Sequence, residues 1–111
     1  MTVLEIFEKV NLVLPLEQRR FFNYFTDTFY ELCAMYPGFV AEAGAAYTPP
    51  KVLSDPNVIR PLYHNAMVDN IVYLASGAEV HKSEFIRKSR EAYLTYWNEN
   101  AKGRRMKKWR G

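Results

Sequence analysis

From Phe21 to Tyr36 the chain reads "FFNYFTDTFYELCAMY", and Phe21, Phe25, Thr28, Phe29, Leu32 and Tyr36 recur at intervals of three and four. That spacing is one face of an α-helix, with Phe22 and Cys33 widening the stripe. A face so broad and so aromatic cannot stand alone in water. It demands other helices to cover it, so the feature fixes a helical bundle before any other segment is read.

The remaining segments agree. Thr2 followed by Glu5 has the spacing of a capping box, and Leu4, Ile6, Phe7, Val10 and Leu14 give an apolar face behind it. Pro15 stops this first helix and is expected to open the second, which runs to Tyr36 and ends at Pro37-Gly38. A third helix is expected over 58–76, capped by Asp55 or Asn57, with Leu62, Met67, Ile71 and Leu74 as its stripe and Gly77 as its stop. A fourth is expected over 79–101, with Gly103 as its natural end. Phe85, Ser89, Ala92, Tyr93, Tyr96 and Trp97 would line one face, and Arg87, Lys88, Arg90, Glu91 and Glu99 the other. Alternating runs and hairpin turns are missing from the sequence. The expected class is all-α, a bundle of about four helices with short connections at Pro15 and Gly77.

Two stretches do not fit that scheme. Residues 37–57 hold four of the six prolines and two of the five glycines, so they read as a long irregular segment. An arm carrying Phe39, Tyr47, Val52 and Leu53 would suit burial against a neighbouring subunit as well as against its own core. Residues 102–111, "KGRRMKKWRG", hold six of the fifteen cations and no acid. Residues 1–101 therefore balance nine Lys and Arg against twelve Asp and Glu, although the whole chain is +3. The expected organisation is a bundle over 1–101 and a flexible basic tail over 102–111. An acidic body with a cationic tail suits head-to-tail association.

Sites for chemistry are sparse. One cysteine excludes an intrachain disulfide, and two histidines 17 residues apart with a single Cys do not make a four-ligand zinc site. His64 and His81 read as solvated or interface residues, with His81 and Glu84 as a helix-surface pair. No phosphate-cradling glycine loop and no nucleophile elbow occurs. Asp69, among apolar neighbours, calls for a partner such as a Tyr63 or Tyr73 hydroxyl, Arg60 or a cap. No catalytic residue, metal or cofactor is expected. Met1 leads into mixed charged and apolar residues rather than a secretory leader. With no apolar run of membrane-spanning length, a soluble, intracellular protein is expected. The tail can be read three ways, the plainest being a disordered segment that aids solubility. Arg104, Arg105, Lys107 and Lys108 could neutralise phosphates while Trp109 stacks on a base. Alternatively, Met106 and Trp109 anchor on a protein while the cations steer.

The run "PLYHNAMVDNIVYLASGAEVHKSEFIRKSREAYLTYWN" resembles the C-terminal helical half of bacteriophage head–tail connector (adaptor) proteins. Tyr63, Ala66, Val68, Asp69 and Tyr73 carry the likeness, then Phe85, Ala92, Tyr93, Tyr96 and Trp97 after a short break. The opening "TVLEIFEKVNLVLP" is similar to that family's short first helix. The resemblance implies a non-enzymatic virion assembly protein without a cofactor. It implies an oligomeric ring docked on the portal protein and on other connector or tail subunits, formed from a protein that waits in the host cytoplasm. Phe39, Tyr47 and Leu53, with Arg104, Arg105, Met106, Lys107, Lys108 and Trp109, would then be the partner-binding residues. The alternative is a small helical nucleic-acid-binding protein that uses the tail for non-specific DNA contact.

Overall fold

The computed structural model describes residues 1–36 and 49–110, and for 100–110 only the course of the backbone. It is a small all-α fold. Its elements are α1 (Val3–Val13), α2 (Gln18–Met35), a 3₁₀ turn (Pro61–Tyr63), α3 (His64–Ser76) and α4 (Glu79–Arg110). α3 is the central helix, packed on α4 along its length and touching α2 and α1 on its other sides.

α1 begins where its capping box says it should. The Glu5 amide donates to Thr2 Oγ1, and the Thr2 amide to Glu5 Oε1, each at 3.1 Å. Its end is set by Asn11, whose Nδ2 donates to the Phe7 carbonyl and whose Oδ1 accepts from the Leu16 amide, both at 2.8 Å. Leu14 is extended, as a residue before proline prefers. These contacts hold 14–17 outside any helix, with Leu16 buried. α2 therefore starts at Gln18 rather than at Pro15. Tyr36, the residue before Pro37, is extended and closes α2.

The third segment is shorter than its sequence pattern suggests. Asp55 Oδ2 accepts from the Lys51 and Val52 amides, and Asn57 Oδ1 from the Ile59 amide, so both side chains brace the approach instead of capping a helix. Helical backbone begins only at Pro61. The turn at Asp55 also lays Leu53 against the chain's own core. Gly77 ends α3 in the left-handed region, at φ 74°, where a side chain would be strained.

The core is aromatic and contiguous. Phe21, Phe25, Phe29, Tyr63 and Phe85 are all fully buried, with Ile6, Leu32, Ile59, Met67 and Ile71 among them. Phe7 meets Phe21 edge-on at 5.0 Å, and Tyr36 stacks obliquely on Tyr93 at 5.1 Å. Such pairs add about 1 kcal/mol each beyond burial.

α4 departs from expectation at its end. Its backbone continues through Gly103 to Arg110, so the basic segment 102–110 is a continuation of the helix rather than an extended tail. A glycine inside a helix costs only about 1 kcal/mol, and Ala101, Lys102, Arg104, Arg105, Met106, Lys107 and Lys108 are good helix formers. With 32 residues, α4 is roughly 48 Å long. None of the described helices is long and apolar enough to cross a membrane.

Candidate functional site

Three sets of side chains were candidates, and burial separates them. The first surrounds His64, which is buried rather than solvated. The Met1 ammonium donates to its Nδ1 at 2.8 Å, and its Nε2 donates to the Ile59 carbonyl at 2.8 Å. That pairing requires a neutral ring protonated on Nε2. Burial pushes the His64 pKa below its ordinary value; the bond to Ile59 pulls the other way and the nearby ammonium adds to the lowering. Asn57 completes the niche, its Nδ2 donating to the Met1 carbonyl at 2.9 Å. The histidine ties the start of α1 to the start of α3.

The second set is a polar seam between α3 and α4, extended toward α2. Asp69 is 8% exposed and accepts from Lys88 Nζ at 2.6 Å and from His81 Nδ1 at 3.1 Å. The carboxylate that needed a partner has two, neither of them among the tyrosines, Arg60 or cap expected for it. His81 thus turns to Asp69 rather than to Glu84, and Glu84 pairs with Arg87 and Lys88. Hydrogen bonding to Arg87 holds the Glu84 carboxyl below the usual range. Toward α2, Asn70 is fully buried and donates to Thr28 Oγ1 at 2.8 Å and to Glu31 Oε2 at 3.2 Å. Glu31 in turn pairs with Lys82 at 3.0 Å, and the Lys82 ammonium lies over the Tyr73 and Phe85 rings. The seam locks three helices in one register. Among the described residues no group of three His, Cys, Asp or Glu is placed to hold a metal ion.

The third set is apolar and uncovered. On α4, Ile86, Leu94 and Trp97 are each about half exposed, at 48%, 48% and 51%. They share a flank with Ser83, Arg87, Arg90 and Glu91, several of which border a shallow surface depression with Ile86 and Leu94. On α1, Leu4 is 43% and Leu12 86% exposed. Leu4 and Trp97 were both expected on core faces. Leu4 sits about 100° of helical rotation from Val3, beyond the reach of α3. Trp97 lies past Ala92, the last described fully packed residue of α4.

The residues singled out from the sequence fare differently. Phe39 and Tyr47 lie outside the described residues. Leu53 is half-buried against its own core. Arg104, Arg105, Met106, Lys107, Lys108 and Trp109 fall on the helical backbone of α4, with their side chains outside the description. The α1 and α4 apolar ridges were not anticipated. Counting Leu4, Glu8 and Leu12, or Ile86, Arg90 and Leu94, at intervals of four would have exposed them.

No family model matches the chain, and neither a curated protein nor a solved structure is significantly similar to it.

Proposed function

We propose that the protein is a non-enzymatic assembly subunit that works by docking on other protein chains, and that the assembly is a phage head–tail connector. The observation that carries this reading is the uncovered apolar flank of α4. Ile86, Leu94 and Trp97 are aligned on a helix that continues to Arg110, and a half-exposed Trp beside arginines is the composition of an interface anchor. The buried polar side chains Asp69, Asn70 and Thr28 fit the same reading, because their bonds join one helix to another. The likeness of 58–97 to connector proteins supplies the biological setting: a ring on the portal protein, with further tail subunits beneath it.

Light scattering of the protein alone and with a portal ring tests the reading. The protein is expected to add mass to the ring, and a form lacking residues 102–111 to add less. A portal ring that gains no mass overturns the connector assignment. The nucleic-acid alternative is favoured by one observation, the helical backbone of 102–110, which sets Arg104, Lys107 and Lys108 at intervals of three and four. Tight duplex binding whose log affinity falls by about 0.9 per neutralised phosphate with log salt, and which vanishes on deleting 102–111, would transfer the assignment to that class.

A further inference from the structure

Two exposed ridges of this chain carry the same pattern with opposite charge. On α1, Leu4, Glu8 and Leu12 follow one another at intervals of four, and all three are exposed. On α4, Ile86, Arg90 and Leu94 do the same and are also exposed. Each ridge is apolar, charged, apolar, with the outer two side chains roughly 12 Å apart along the helix. Rows at this interval are the ones that interlock when two helices pack at a crossing angle near −50°.

The charges in the middle are the available ones. Arg87, next to the α4 ridge, is engaged by Glu84 and Glu91. Arg90 forms no ion pair with any other described residue, and neither does Glu8. Lys9, beside the α1 ridge, is turned to Asn65. Because each pattern reads the same in both directions, either sense of packing sets leucine against an aliphatic residue and Glu8 against Arg90.

We propose that the α1 ridge of one molecule docks on the α4 ridge of a second copy of the same chain. The contact is heterologous: each molecule keeps one ridge of each kind for a further neighbour, so association continues until a ring closes. The proposal rests on the assembly reading above and names the contact between copies that it needs. A charge pair closed off by four aliphatic side chains sets both register and partner.

The test is charge reversal in the full chain, followed by sedimentation and light scattering across a concentration series. Wild type is expected to gain mass with concentration, and less so at high salt. Glu8→Arg and Arg90→Glu, both at exposed positions, should each weaken association about tenfold while leaving the helical circular dichroism unchanged. An equimolar mixture of the two variants should recover association, because the arginine introduced on α1 of one then faces the glutamate introduced on α4 of the other. The E8R/R90E double variant should recover it too. Wild type that stays monomeric to ~1 mM, single reversals without effect, or a mixture that fails to recover would overturn the contact. Addition of a portal ring separates the two claims. Docking without self-association removes this contact and leaves the assembly reading, whereas self-association without docking removes the connector assignment and leaves the contact.

Discussion

Replacing Lys88 by Met is the sharpest single test of what the α3–α4 seam does. Asp69 has a side chain 11% exposed, whereas those of Lys88 and His81 are 34% and 26% exposed. The three groups thus differ in what happens when a partner is lost. A freed Lys88 or His81 can turn toward water, but Asp69 cannot. At 2.6 Å and an effective dielectric near 20, the Lys88–Asp69 attraction is roughly 6 kcal/mol gross, and most of it only offsets the cost of burying the carboxylate. Breaking a fully buried pair costs about 3–5 kcal/mol; with the lysine a third exposed and His81 still in place, K88M should cost about 2–3 kcal/mol. For a chain of this size that is a fall in Tm of roughly 10 °C.

Asp69→Asn removes the charge but keeps the shape. Its carbonyl still accepts from Lys88 and its amide keeps its place beside the His81 ring, so the loss should be only about 1 kcal/mol. The order K88M worse than D69N is the prediction, read from urea midpoints at constant slope. Should D69N prove the more damaging change, or K88M cost less than about 0.5 kcal/mol, the seam is not held by charge and the reasoning fails.

Other outcomes follow from the burial of single groups. With its pKa lowered from 6.5, folded His64 binds fewer protons than the unfolded chain; stability is full above that value and declines as pH falls through it, and His64→Gln should flatten that slope in urea melts between about pH 7.5 and pH 5. Burial, with smaller contributions from Tyr36, Tyr93 and Tyr96, pushes Tyr63 up to about 12. Stability should therefore be lost as pH rises from 10 toward that value, with phenolate absorbance of Tyr63 appearing only on unfolding and Tyr63→Phe removing the step. Phe85→Ala opens a cavity beneath the Lys82 ammonium and should cost about 3–5 kcal/mol, against about 1 kcal/mol for Phe85→Leu.

The helices were legible wherever a local device set their ends. Thr2 and Glu5 start α1, and Gly77 stops α3 because only the left-handed conformation lets the chain reverse there. Gly103 has no such duty, and a glycine that need not reverse the chain is merely a weak helix former. Pro15 misled for a related reason. Proline is compatible with the first turn of a helix, but Asn11 had already committed the Leu16 amide to a different partner. At Pro15 the local propensity was overruled by a side-chain hydrogen bond that helical periodicity does not reveal.

The seam was legible in principle, by a route that periodicity alone does not take. Once α3 and α4 are known to fold back at Gly77, each position of α3 faces its mirror image on α4. Asp69 lies eight residues before Gly77, and its mirror is Phe85, eight after; one helical turn to either side of Phe85 stand His81 and Lys88. The acid's two partners follow from that reflection, as does the loss of the His81–Glu84 pair, since a buried carboxylate draws a donor more strongly than an exposed one. The same reflection assigns no partner to Arg90, which points away from α3. Arg90, flanked by the exposed Ile86 and Leu94, stands outside every ion pair among the described residues, and the contact proposed above would supply one. Glu8 between Leu4 and Leu12 is in the same position on α1, and the two ridges complement one another in spacing, charge and apolar flanks.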